Sequence, residues 1–229
     1  MAENCRELAG YLTRSGAATK ARRYLRSGST SYLTEEEAEW LVAYGVGMDV
    51  DLRSEQEARV RPDRLAEMRG VAYANVPLYL SNLHDERLMA MADPDDYLTE
   101  GYYEMLANRE AVREIFARFA EAPDGRCVLF HCAAGMDRTG VASALLLGAA
   151  GVGTRDIVFD YACSFARPPE VDAVLERRSA REGTVETLCR VMRSTLAAIR
   201  TAYGSVHGYL ASCGIPEDGI ERAAERLLR

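Results

Sequence analysis

Six cysteines occur in the 229-residue chain, and only Cys132 is followed six positions later by an arginine, Arg138. The residue at that offset from Cys5, Cys127, Cys163, Cys189 and Cys213 is never arginine. Between Cys132 and Arg138 run Ala133, Ala134, Gly135, Met136 and Asp137, with Thr139 and Gly140 beyond. Five intervening residues are enough backbone to curl a ring of N–H groups around one tetrahedral anion, with the sulfur beneath its centre. A thiolate at the head of a helix is favoured by the helix dipole and by unpaired N–H groups, which makes Cys132 the candidate nucleophile. The planar fork of Arg138 suits two oxygens of the same anion. Ala133, Ala134 and Gly135 are small enough for a tight loop, and the Thr139 hydroxyl can hold the sulfur or help it leave. The expected anion-binding stretch therefore runs from Ala133 through Arg138, with Met136 and Asp137 inside it.

Such a loop needs a buried strand before it and a helix after it. Residues 127–130, Cys-Val-Leu-Phe, form a continuous apolar run of the kind a central strand carries, and residues 139–150 are an Ala- and Leu-rich helical stretch. Residues 46–52 alternate apolar and polar with period two, which predicts a strand that delivers Asp51 and Arg53 toward the same place. Residues 71–76 are a weaker strand, closed by Pro77. Thr34-Glu35-Glu36-Glu37 is a capping-box pattern that opens a helix ending at Gly45. Further helices are expected over 99–121, 154–165, from about Glu170, over 184–203, and from Pro216 onward. Residues 1–21 read as a lead-in, helical or extended, and 83–104 and 166–203 as lids or substrate-side excursions. The pattern predicts an α/β fold in one domain, 1–229, with a central, mostly parallel sheet flanked by helices and additional helices around the active site.

Composition narrows the partners. Lys plus Arg is 28 against 35 Asp plus Glu, a net charge of −7, which is not the footprint of a nucleic-acid binder. No apolar run reaches membrane-spanning length, and none at the N-terminus resembles a signal peptide. Cysteines without framework spacing fit a reduced, cytoplasmic protein, with secretion lacking a signal peptide left open. Arg22, Arg23 and Arg26 are expected on a solvated face, and Tyr97, Tyr102 and Tyr103 as packed side chains. His84 and His207 have no neighbours at metal-ligand spacing, so no metal is expected. Oligomeric state is not readable.

The segment from His131 to Gly140 resembles the signature loop of cysteine-dependent protein tyrosine phosphatases, and its Asp137-Arg138-Thr139-Gly140 ending resembles their bacterial and fungal branch, to which a secreted mycobacterial phosphatase of several specificities belongs. Leu25-Arg26-Ser27-Gly28, Leu33-Thr34, Gly45-Val46, Asp51-Leu52-Arg53-Ser54 with Glu57, Val76-Pro77-Leu78 and the tail from Tyr209-Leu210 to Gly214-Ile215 resemble that branch in order. The resemblance implies phosphomonoester hydrolysis through a phosphocysteine on Cys132, with Arg138 holding the phosphoryl oxygens and no cofactor. Phosphorylated proteins or small phosphomonoesters would be the substrates and inorganic phosphate the product. The leaving group needs a proton donor, and both Asp137 and Asp51 are candidates; Arg53 either binds substrate or braces Asp51. One departure is Met136, where the branch usually carries lysine. Methionine packs against an aromatic ring but offers no charge, which favours phosphotyrosine over a phosphoinositide or inositol phosphate. A non-catalytic phosphopeptide-binding module and a sulfur-transfer domain are the competing readings.

Overall fold

The structure is a computed structural model and describes residues 2–80, 85–91, 97–165 and 185–229. Its strands are β1 (Arg6–Glu7), β2 (Tyr24–Ser27), β3 (Val46–Asp51), β4 (Ala72–Asn75) and β5 (Cys127–His131), joined in one sheet in the order β1-β2-β5-β3-β4. Only β1 is antiparallel; β2, β5, β3 and β4 run parallel. The register sets Ser27 beside His131, His131 beside Asp51, and Asp51 beside Asn75. Four carboxyl ends therefore line up along one edge, the place where open α/β sheets hold ligands.

The helices are α1 (Glu35–Tyr44), α2 (Glu55–Val60), α3 (Glu86–Met89), α4 (Tyr97–Ala107), α5 (Arg109–Glu121), α6 (Asp137–Ala149), α7 (Thr154–Cys163), α8 (Val185–Tyr203), α9 (Val206–Ser212) and α10 (Glu217–Arg226). The capping box at Thr34 closes in both directions, and α1 stops at Gly45 as expected. The expected helix over 99–121 is two helices. Asn108 ends the first and caps the second, its side chain accepting from Ala111 N–H and donating to the carbonyls of Pro77 and Leu78. Residues 185–203 are no excursion: Leu188, Val191, Met192, Leu196 and Ile199 of α8 are buried in the main core. The helix expected near Glu170 lies outside the described residues. Among those described, no helix is long and apolar enough to cross a membrane.

Two apolar clusters sandwich the sheet. Val128 and Phe130 of β5 and Met48 and Val50 of β3 join the larger one, with Phe116, Leu145, Leu146 and the later helices. Cys127 and Leu129 face the smaller one, with Leu25, Leu33, Ala38 and Leu41. The period-two pattern of β3 separates two covered faces: all six residues are buried. Asp49 and Asp51 lie on the face that carries Leu129 and His131, under the turn that holds Thr30 and Asp63. The solvated face expected for Arg26 is overturned. β2 is a fully buried interior strand, and its arginine, Arg26, lies inside the protein rather than on a solvated face.

Candidate active site

β5 ends at His131 and the chain turns through residues 132–136 before α6 begins at Asp137. The carbonyls of this turn are held outward. Ala133 O accepts from Ser29 N–H at 3.0 Å. The Asn4 side-chain amide donates to Ala134 O at 3.4 Å and to Gly135 O at 2.9 Å, and Arg26 Nη2 donates to Gly135 O at 2.8 Å. A trans peptide puts its N–H opposite its carbonyl, so the N–H groups of Ala134, Gly135 and Met136 are turned to the other side. That of Gly135 lies 3.3 Å from Cys132 Sγ. The turn is curled with the Gly135 amide on the sulfur, an arrangement that can seat a tetrahedral oxyanion.

Gly135 makes the curl sterically feasible. Its φ is +70°, and a Cβ there would stand 2.6 Å from Gly28 N and from the Ser27 carbonyl group. Gly140 does the same for α6, where a Cβ would come within 2.9 Å of the Tyr161 ring.

On the β2 side of the loop, Arg26 is wholly buried and pairs with Asp160 of α7, while Nη2 also donates to Ser164 Oγ at 3.1 Å. Arg6 Nε and Tyr11 OH reach the other oxygen of Asp160 at 3.2 and 3.1 Å. Burial lowers the pKa of Arg26 and Asp160 offsets this. The result is a hydrogen-bonded frame that runs from the N-terminal segment through Arg26 to the loop.

The β3 side is built differently. His131 is wholly buried, its Nδ1 3.2 Å from Cys132 O and its Nε2 2.9 Å from Asp63 Oδ2 in a poorly aligned contact. Asp49 Oδ1 is 3.6 Å from the same nitrogen, and neither oxygen of Asp49 has a hydrogen-bond partner. Burial alone would lower the pKa of His131, but Asp49, Asp63 and Asp51 outweigh it and bring it up to about 9. Burial pushes Asp49 well above the ordinary carboxylate range, against the pull of His131. By residue type Asp49, Asp63 and His131 suit a divalent cation, and their ligand atoms lie within 4.8 Å of one another. A metal there would have to displace a proton from an imidazole whose pKa the carboxylates raise, beside Arg53 Nη2, which stands 3.5 Å from Asp63.

The expected site residues fall into two groups. Arg138 heads α6 with its two Nη atoms on Glu57, at 2.7 and 3.0 Å, a bidentate pair that fixes the fork. The Arg138 bond, against partial burial and helped by Ser54, holds the Glu57 carboxyl down at about 2. Asp137, partly exposed on the first turn, accepts from Tyr102 OH at 3.1 Å, and Tyr102 in turn meets Tyr161 OH. Thr139 Oγ1 is buried with no hydrogen-bond partner. Asp51 stands apart from this group. It is wholly buried and spends its carboxylate on the Arg53 backbone and guanidinium and on Tyr73 OH. Arg53 donates its remaining hydrogens to Ser29, Ser31 and the Arg61 carbonyl, so the pair braces the sheet edge. Met136, expected to meet a substrate ring, is only 2% exposed. Asn4, Glu57, Asp63, Tyr102 and Asp160 were not singled out by spacing for the parts they take. For Glu57 a signal existed, since it stands three residues after the capping Ser54, as the first turn of a helix requires.

A central strand ending in a thiol, a loop with inward amides and an arginine on the first turn of the next helix define a class: α/β proteins with a cysteine-headed oxyanion loop. Within that class the chain belongs to the tyrosine phosphatase family, whose model matches residues 1–229. It is 34% identical over 227 residues to a tyrosine-protein phosphatase of Nostoc commune, covering 92% of this chain and 76% of that protein. It is 30% identical over 222 residues to a Cupriavidus necator protein that carries the tyrosine-protein phosphatase designation, covering 90% and 80%. Identity to the triple specificity protein phosphatase PtpB of Mycobacterium tuberculosis is 31% over 151 residues, 58% of this chain and 55% of that protein, so the mycobacterial kinship is a distant one.

Proposed function

We propose that the protein hydrolyses phosphomonoesters, phosphotyrosine foremost, through a phosphocysteine on Cys132. The observation that carries this reading is the loop itself, whose carbonyls are tied to Asn4, Arg26 and Ser29 so that its amides face the Cys132 side. In the first step Cys132 Sγ bonds to phosphorus as the bond to the leaving oxygen breaks. The loop amides and Arg138 hold the charge on the three remaining oxygens. Asp137, presented at the loop end and steadied by Tyr102, gives its proton to the leaving oxygen. In the second step water attacks phosphorus, its proton passes to the Asp137 carboxylate, and the S–P bond breaks. The unpartnered Thr139 hydroxyl is available to receive the departing thiolate. Asp51, already saturated by Arg53 and Tyr73, serves as a brace rather than as the acid. Phosphotyrosine is favoured by the similarity to the Nostoc commune tyrosine-protein phosphatase over 92% of this chain.

Hydrolysis of a chromogenic aryl phosphate at mildly acidic pH tests the reaction. Cys132→Ser is expected to abolish turnover and added chelator to leave it unchanged. Turnover by the serine variant equal to the parent's, or loss of turnover on chelation, would defeat the covalent mechanism. Asp137→Asn tests the acid. A phenolic leaving group, with a pKa near about 10, needs protonation less than an alkoxide does. The variant should therefore lose more on alkyl than on aryl phosphates, and equal losses would remove Asp137 from that role.

A further inference from the structure

Three helices meet at one hydroxyl. Tyr102 of α4 is 3% exposed, and its OH donates to Asp137 Oδ1 on the first turn of α6 at 3.1 Å and meets Tyr161 OH of α7. Both rings are fixed by their surroundings. Tyr161 is 1% exposed, stands edge-on to Tyr102 at 88° and to Phe165 at 72°, and lies against Gly140, where no side chain intervenes. Burial pushes the Tyr102 phenol well above its ordinary pKa, with Asp137 and Tyr161 adding to the shift. It therefore keeps its hydrogen over the whole range in which a carboxyl group exchanges one. For packing alone, phenylalanine would serve at both positions without a hydroxyl to satisfy.

A phenol has one hydrogen, and that of Tyr102 is spent on Asp137. In the contact between the two tyrosines Tyr161 is then the donor, and a hydroxyl that accepts one hydrogen bond donates the next more strongly. A carboxyl oxygen accepts from Tyr102 whether or not the other oxygen carries a proton. Resting on the reading of Asp137 as the proton donor, we propose that Tyr102 and Tyr161 are positioning residues for the reaction: Tyr161 donates to Tyr102, Tyr102 donates to Asp137 Oδ1, and the transferable proton is confined to Oδ2. In the first step Oδ2 gives that proton to the leaving oxygen, and the carboxyl becomes a carboxylate. In the second step Oδ2 takes a proton from the attacking water. The bond at Oδ1 is the same before and after each transfer, so neither phenol gains or loses a proton.

Placement of the acid matters most when the leaving group is poor. The test compares kcat/KM for nitrophenyl phosphate with that for phenyl phosphate, whose leaving oxygen is the more basic. The proteins are the parent, Tyr102→Phe, Tyr161→Phe, Asp137→Asn and the double variant Tyr102→Phe/Asp137→Asn. Tyr102→Phe keeps the ring, and it is expected to cost about tenfold on phenyl phosphate and about twofold or less on nitrophenyl phosphate. Tyr161→Phe should cost about threefold on phenyl phosphate, since Tyr102 keeps its bond to Asp137 and loses only the donor behind it. In the Asp137→Asn background Tyr102→Phe should cost nothing further on either ester, because no proton is left to place. Equal losses on both esters, or losses that multiply in the double variant, would reduce Tyr102 to a packing residue. Should Tyr102→Phe fail to fold, Tyr161→Phe decides by the same selectivity. If Asp137→Asn loses selectively on phenyl phosphate and neither tyrosine variant does, the positioning role falls and the acid assignment stands. If Asp137→Asn is itself unselective, the acid assignment falls and takes this proposal with it. A parent that turns over neither ester overturns the phosphatase reading as well.

Discussion

Two buried charged clusters flank Cys132, and they are built on opposite terms. On the β2 side, Arg26 and Asp160 exchange hydrogen bonds with Arg6, Tyr11, Ser164 and the Gly135 carbonyl, so both carboxylate oxygens are occupied. On the β3 side, Asp49 has two buried oxygens with no partner, and His131 and Asp63 meet at a poor angle. The first cluster resembles a truss: Arg26, Asp160, Arg6 and Ser164 are each fixed by at least two others, and the loop carbonyl is one of its joints. The second holds an excess of negative groups in balance with an imidazolium and the Arg53 guanidinium. Its state depends on protons. One side fixes where the loop atoms are, and the other makes the strand beneath them sensitive to pH.

The largest expected effect comes from breaking the truss. Arg26→Ala leaves the Asp160 charge buried without its main partner and releases Gly135 O, at an expected cost of about 3–5 kcal/mol. Urea denaturation at neutral pH measures it, and a variant within 1 kcal/mol of the parent would mean that the truss is dispensable. Next comes the titrating side. The folded pKa of His131 is raised above its unfolded value near 6.5, so its contribution is fully present below that pH and is lost as pH climbs through about 9. Stability should decline across that window by at most about 3 kcal/mol. Asp49→Asn should flatten the decline, since the Asp49 carboxylate is the foremost of the charges that raise the His131 pKa. An unchanged slope in the variant would separate Asp49 from the titration.

A smaller effect is expected where the clusters give way to the site. Glu57→Gln keeps the shape but removes the charge that grips Arg138, and aryl phosphate kcat/KM should fall about tenfold, near 1.4 kcal/mol. Equal activity would show that Arg138 orients itself. The smallest is Asn4→Ala, which removes one donor to Gly135 O while Arg26 keeps the other; about 1 kcal/mol of stability and a few-fold loss of turnover are expected. If that loss matched the Arg26→Ala loss, the contrast between the two sides would have to be redrawn.

The same contrast explains what could be read from the sequence. The loop, the strand before it and the helix after it announce themselves locally, through an apolar run, a tight polar segment and an Ala-rich stretch. The capping boxes at Thr34 and Ser54 are local too. The truss is not, because Arg26 and Asp160 are 134 residues apart and nothing near either one indicates burial. A period-two alternation tells which residues share a face but not what covers that face, so the sealing of Asp49 and Asp51 under Thr30 and Asp63 has no local signal. Arg26 misleads for a related reason: an arginine in an interior strand looks like surface until its counter-charge is known. Asp51 and Arg53 were legible as neighbours at a strand end, and only their geometry shows each satisfying the other.

The clasp of the opening residues on the loop has a practical side. Gly28 N–H donates to Glu3 O, Asn4 holds Gly135 O, and Arg6 reaches Asp160 and Ser164, so a half-dozen residues at the chain's start stitch distant segments together. Cutting those ties would loosen the loop without touching the sulfur or Arg138.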